Sequence, residues 1–197
     1  MKTIRKSQKG NTFTSDYIEY RKALLKGNEL LWNGKPIIGF YTLLSINTGL
    51  RVSDILQRKH CELMNLKPGD YLSLTEKKTK KVREIQINSK ITEAYNYLVG
   101  KIGPVNPDSF IFTSQKGSVY RTETLNTILK KQFAGYAQHI STHSLRKSFG
   151  RHVYEVNGKS EDSLIMLSEL FQHTSMAVTR RYLGLRREQL GSLYMNL

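Results

Sequence analysis

Apolar positions recur with a helical period along most of this chain, and the period lapses in one stretch, from about Glu62 to Ile87. Thr14 or Ser15 is placed to cap a first helix carrying Tyr17, Ile18, Leu24 and Leu25. Asn33-Gly34 breaks the chain, and Pro36 suits the first turn of the next helix. That helix, to about Asn47, is apolar on nearly every face (Ile37, Ile38, Phe40, Tyr41, Leu43, Leu44, Ile46), which predicts burial. Gly49 is placed as its left-handed C-terminal residue, and Ser53 as the cap of a short helix beyond, so Arg51 falls in the corner between the two. In the lapse, Tyr71, Leu72 and Leu74, then a Lys77-Lys78-Thr79-Lys80-Lys81 run, then Val82, Ile85 and Ile87 predict two strands joined by a basic tip.

The second half returns to helices. Ser89 opens one reaching about Val99, a proline-bearing loop covers Gly100 to Asp108, and Phe110-Ile111-Phe112 reads as a short buried strand. Helices follow over about Thr122–Phe133, Thr142–Val156 and Asp162–Gln172, and Ser175 caps another that contains Tyr182. In the Thr142–Val156 helix, Leu145, Phe149, Val153 and Val156 make the apolar stripe, and His143, Arg146 and Gly150 fall together on its flank. Gly150 there admits a close neighbour. The whole is a mainly helical α+β chain, with helices around a small antiparallel β-sheet.

Charge changes the picture. With 31 Lys+Arg against 16 Asp+Glu the formal net charge is +15, which predicts a polyanionic partner, most simply nucleic acid. The competing partner, an anionic membrane surface, has no apolar run of spanning length to support it, and the first residues lack a signal peptide's apolar core. One cysteine, Cys61, excludes an internal disulfide and a cysteine zinc cluster, and fits a reducing cytoplasm. Residues 1–12 read as a basic flexible arm (Lys2, Arg5, Lys6, Lys9) that touches DNA backbone or is simply solvated.

The candidate chemistry gathers in the last third. Tyr182 follows Arg180 and Arg181 and lies nine residues past His173; upstream stand His143 and Arg146. A phenol with an ordinary pKa near 10 is a weak nucleophile at neutral pH, and cationic neighbours both favour its phenolate and hold a phosphate for it to attack. A tyrosine alone is most often a packing residue, so the constellation carries the argument.

These stretches together resemble the catalytic domain of the tyrosine recombinase, or phage integrase, family, over roughly residues 36 to 184. Asn47-Thr48-Gly49-Leu50-Arg51-Val52-Ser53-Asp54 resembles the family's first arginine motif, the basic tip its lysine-bearing β-turn, and His143-Ser144-Leu145-Arg146 its H-x-x-R motif. Phe171-Gln172-His173 corresponds to leucine-glycine-histidine, with Tyr182 where the nucleophile is expected. Two features depart from the pattern: Gln172 stands where the family has glycine, and the stretch from Arg146 to His173 is long by an insertion around Gly158 to Asp162.

The resemblance implies that fold, the double-stranded DNA partner, and self-association as dimer or tetramer on paired sites. It implies attack by Tyr182 on a DNA phosphodiester, a 3′-phosphotyrosyl bond, release of a 5′-hydroxyl, and no cofactor, ATP or metal. Arg51 and Arg146 would clamp the phosphate oxygens, and His173 would donate to one. His143 would accept the tyrosyl proton or bond the phosphate. Lys78 would protonate the leaving oxygen, with Lys77 its alternate by strand register. Asp54 would orient Arg51 or His143. Residues 13–197 would form the catalytic domain, without the full-size helical core-binding domain of many relatives: a minimal recombinase or a catalytic fragment, from a bacterial, phage or mobile-element cytoplasm. The tail, residues 186–197, would dock on a neighbouring protomer or fold at home through Leu190, Leu193 and Tyr194. A type IB topoisomerase uses a similar constellation, and a non-catalytic DNA-binding accessory protein would share the charge.

Overall fold

The computed structural model describes residues 15–195, so the basic arm of residues 1–12 and a capping role for Thr14 lie outside the described residues. Nine α-helices and one two-stranded sheet are described: α1 Tyr20–Trp32, α2 Pro36–Thr48, α3 Val52–Ile55, β1 Tyr71–Thr75, β2 Val82–Gln86, α4 Ser89–Ile102, α5 Thr122–Gln132, α6 Thr142–Val156, α7 Glu161–Phe171, α8 Met176–Tyr182 and α9 Leu185–Met195. The chain is thus mainly helical with a small antiparallel sheet, as its patterning predicts.

α2 is the axis of the larger core. Pro36 starts it, and Phe40, Tyr41, Leu43, Leu44 and Ile46 are all buried. Burying each such side chain stabilises the fold by about 1.5–3 kcal/mol before conformational entropy is counted. α1, α4 and α6 pack around it. The helix ends as expected at Gly49, in the left-handed region at φ 59°, where an added Cβ would lie 2.4 Å from Phe149 of α6. Glycine is required there for both reasons.

A second, smaller apolar cluster lies apart from that core. It consists of Tyr154, Leu164, Leu167, Phe171, Tyr182, Leu183 and Leu185, from α6, α7, α8 and the start of α9. Gly150 of α6 faces it: a Cβ at that position would come within 2.7 Å of Leu183 and 2.9 Å of Phe171.

The strands pair antiparallel with Leu72 opposite Ile85 and Leu74 opposite Arg83. The basic run forms the turn between them.

Several expectations are corrected. α1 begins at Tyr20; Tyr17 and Ile18 precede it in extended chain, because Asp16 N–H bonds the His139 carbonyl and Ile18 N–H bonds Ser148 Oγ, pinning this segment across α6. Ser53 lies inside α3, and Arg51 takes the N-cap position. Asn88, whose side chain accepts from Ile91 N–H, caps α4 in place of Ser89. Phe110 to Phe112 form single bridges at their flanks, Lys59 with Phe110 and Thr113 with Val119, with Ile111 and Phe112 buried but no strand. Val156 is exposed, and the buried face of α6 turns instead through Arg146, Lys147, Ser148 and Arg151. In the tail helix Leu190, Leu193 and Tyr194 are exposed, while Leu185 and Glu188 of the same helix contact the rest of the chain.

Candidate active site

The left-handed turn at Gly49 reverses the chain so that Arg51 caps α3 and its guanidinium reaches two distant parts of the sequence. One terminal nitrogen donates to Glu76 Oε2 at 2.6 Å, the other to the Phe171 carbonyl at 3.0 Å, at the end of α7. Arg146 reaches the same corner from α6, donating to the Gly49 carbonyl at 2.5 Å, with its guanidinium carbon 4.4 Å from the Phe171 ring centroid. It is 4% exposed, and burial pulls its pKa down to about 10, leaving it charged at neutral pH.

Tyr182, the last residue of α8, closes over this pair. Its ring meets His173 edge-on at 5.1 Å, Phe171 at 5.5 Å and His143 at 6.4 Å, with the Lys147 ammonium 5.1 Å from its centroid. It is 4% exposed. Burial raises its pKa to about 12, against the opposing pull of Arg146, by charge and hydrogen bond, and of Arg51.

The two histidines are held neutral. Burial, then the charges of Arg146 and Arg51, lower His173 to about 4. Its Nδ1 lies 2.8 Å from the hydroxyl of Thr179, a fully buried residue. With the hydroxyl donating to Nδ1, the neutral ring carries its proton on Nε2. His143 is exposed by area although protein surrounds much of its ring. That desolvation and the charges of Arg146, Lys147, Arg51 and Lys78 bring it below the ordinary histidine value.

His173 is aimed by backbone conformation. Gln172, between Phe171 and His173, ends α7 in the left-handed region at φ 56°, ψ 46°. The family's glycine suits that conformation; here a glutamine adopts it. Ser175 then caps α8 as expected, accepting from Val178 N–H.

Lys78 sits exposed on the hairpin tip, where its charge acts on His143, and its ammonium has no bond among the described residues. Lys77 is exposed as well, and its backbone N–H donates to Asp54 Oδ1 at 2.9 Å. Asp54, 1% exposed, therefore secures the tip; its backbone N–H donates to the Arg51 carbonyl at 2.9 Å, while no hydrogen bond of its carboxylate reaches Arg51 or His143 among the described residues. The carboxylate on Arg51 is Glu76, fully buried, which also lies 3.5 Å from Arg83 and accepts from Thr79 at 2.8 Å. Burial opposes the charge on Glu76, yet the hydrogen bonds from Thr79 and Arg51 and the charges of Arg51 and Arg83 outweigh it and hold the carboxyl below its usual range.

Glu76, Arg83 and Lys147 escaped the reading of the sequence. Glu76 had a signal: Leu72, Leu74 and Glu76 alternate, so the carboxylate falls on the buried face of β1. Lys147 had none, since it directly follows the expected Arg146. Its ammonium bonds the Ser15 carbonyl, and burial lowers its pKa to about 8.

Comparison with known proteins places the chain in a family. Residues 36–189 match the family model described as the phage integrase family. The probable integrase/recombinase YoeC of Bacillus subtilis (strain 168) is 30% identical over 158 residues, covering 79% of this chain and 81% of YoeC. Tyrosine recombinase XerC of Rickettsia canadensis (strain McKiel) is 29% identical over 153 residues; the match covers 75% of this chain but 47% of XerC, so the chain spans about half the length of that relative. Among solved structures, the XerH site-specific recombinase bound to a palindromic difH substrate, a post-cleavage complex, superposes with a TM-score of 0.65 at 22% identity, covering 96% of this chain and 55% of XerH.

Proposed function

The chain belongs to the phage integrase family, and from that premise we propose that it is a site-specific DNA recombinase that cuts and rejoins strands through Tyr182. The observation that carries this reading is the convergence of Arg51, Arg146, His143 and His173 on one tyrosine at the end of α8. The net charge of +15 supports double-stranded DNA as the partner.

At a pKa of about 12 only about one Tyr182 in 10⁵ is ionised at pH 7, so attack needs a base. His143, neutral at that pH and edge-on to the ring, takes the phenolic proton. The phenolic oxygen bonds to phosphorus as the bond to the 5′-oxygen breaks. Arg51 and Arg146 offer N–H groups to the charge gathering on the non-bridging oxygens, and His173 adds its Nε2–H. Lys78 gives a proton to the leaving 5′-oxygen. A 5′-hydroxyl of a second strand then reverses these steps. The phosphotyrosyl link conserves the energy of the cleaved bond, so the scheme calls for neither ATP nor a cofactor. Self-association on paired sites uses the exposed Leu190, Leu193 and Tyr194 of α9, docked on a neighbouring copy. The work is done where DNA lies, in a bacterial cytoplasm.

The test is covalent capture. Duplexes drawn from random genomic fragments, nicked and incubated with the protein, should yield a 3′-phosphotyrosyl adduct. Tyr182→Phe should bind DNA and form none. An adduct that persists in that variant would move the nucleophile elsewhere and overturn the assignment.

A further inference from the structure

Glu76 is a fully buried carboxylate placed beside the arginine that is to hold a phosphate. By charge alone that placement works against the site, since a negative group weakens the pull of Arg51 on an anion. Its bonds indicate what it does instead. One oxygen, Oε2, accepts from both Arg51 at 2.6 Å and Thr79 at 2.8 Å, and Oε1 lies 3.5 Å from Arg83. Thr79 directly follows Lys78. The backbone of Glu76 closes the base of the same turn, its N–H on the Lys81 carbonyl and its carbonyl on Lys80 N–H. On the other side of Lys78, the Lys77 N–H is held by Asp54, three residues beyond Arg51. The exposed lysine thus stands on a short tip whose neighbours on both sides are tied to the corner that carries Arg51.

We infer that Glu76 is a positioning residue that fixes the Arg51 guanidinium and the Lys78 tip relative to each other, so that the oxyanion clamp and the leaving-group acid meet one phosphodiester in register. This rests on the proposed recombinase chemistry and extends it to a residue that need touch no substrate. With one Arg51 nitrogen fixed by Glu76 and the other by the Phe171 carbonyl, the plane of the guanidinium is set before DNA arrives, leaving further N–H groups for the phosphate. Arg83, which also donates to the Thr48 carbonyl at 3.0 Å, braces the carboxylate from β2.

Glu76→Gln separates positioning from charge. It removes a negative group near the phosphate, so charge alone predicts DNA binding as tight or tighter and cleavage as fast or faster. Positioning predicts binding as tight or tighter with adduct formation slowed roughly tenfold or more. In an Arg51→Ala background the same change should add little, because its main route of action is already gone. Thr79→Val leaves the buried carboxylate intact and keeps the test open should Glu76→Gln fail to fold. It should slow cleavage of ordinary DNA and regain the wild-type rate on a 5′-bridging phosphorothiolate, whose sulfur leaves without a proton. Wild-type cleavage rates in Glu76→Gln, or in Thr79→Val on ordinary DNA, would overturn the inference while the Tyr182-dependent adduct of the unaltered protein stands. Absence of that adduct in the unaltered protein would overturn the proposed function and this inference together.

Discussion

Arg51 and Phe171 are 120 residues apart, and a single hydrogen bond from the guanidinium to the Phe171 carbonyl joins the corner after α2 to the end of α7. The carbonyl lies at a helix C-terminus, where a cation is favoured by the helix dipole as well as by the bond. The residue expected to clamp phosphate therefore also holds together the two segments that bring His173 and Tyr182 to it.

Replacing either arginine should affect both chemistry and fold. Arg51→Ala and Arg146→Ala should each slow adduct formation by about a hundredfold or more. Arg51→Lys and Arg146→Lys should recover little, because one ammonium cannot reproduce a two-pronged donor. Arg146→Ala leaves the Gly49 carbonyl without its partner and should lower Tm as well. Single-turnover rates on a nicked duplex and thermal melts check both; full activity in Arg146→Lys would contradict the clamp.

Acid should destabilise the fold over a defined window. His173 is held at about 4 against an ordinary 6.5. Between those values the unfolded chain binds a proton that the folded chain refuses, so stability is lost as pH falls from about 6.5 towards 4. His60, His143 and His152 are shifted the same way, and Glu76, held low, adds to the loss in acid. Urea melts at pH 7, 6, 5 and 4.5 should show a declining midpoint. In His173→Asn, whose amide oxygen still accepts from Thr179, the decline should be shallower. An unchanged slope would mean that His173 does not titrate as described.

Gln172→Gly should raise stability by roughly 0.5–1 kcal/mol. The left-handed conformation costs an L-residue about 1–2 kcal/mol, and the greater freedom of glycine in the unfolded chain returns part of that gain. The glutamine side chain is exposed, so its removal should cost little. A thermal melt shifted upward is the expected result, and a downward shift would mean the side chain makes a contribution of its own.

Deleting residues 189–197 should leave the fold nearly as stable. Glu188, whose carboxylate binds Arg151 at 2.9 Å, is retained, and Leu190, Leu193 and Tyr194 are exposed. Binding to a single DNA site should persist, while paired-site complexes seen by gel shift should disappear. Strand exchange at the full rate without the tail would argue against docking on a neighbouring copy.

How much of this was legible in the sequence depended on the kind of signal. Helical period and breakers placed α2, α5 and α6 closely, because Gly49, Pro36 and the Asn157-Gly158 end are local and strong. The gathering of Arg51, Arg146, His143 and His173 near Tyr182 was readable through spacing and resemblance. What failed were statements about partners. The Asp54 carboxylate was expected on Arg51 or His143 and is found on the Lys77 backbone, while the arginine's carboxylate is that of Glu76, the residue after β1. Nothing local in the Arg51 stretch points to a glutamate 25 residues on. The start of α1 was misplaced for the same reason: Ser15, Asp16 and Ile18 are held by Lys147, His139 and Ser148, in α6 and the segment before it, more than a hundred residues away, and no propensity scale sees that.

The division of the interior into two clusters bears on timing. Tyr182 belongs to the smaller one, with Phe171, Leu183 and Leu185, while α2 anchors the larger without it. An outward movement of α8 would break the minor cluster while leaving the major one intact. Such partial openings lie at a lower free energy than global unfolding. Amides of α8 should accordingly exchange with solvent well before those of α2. Tyr182 would then be shielded by default and exposed by a local fluctuation, which a bound partner need only catch and hold.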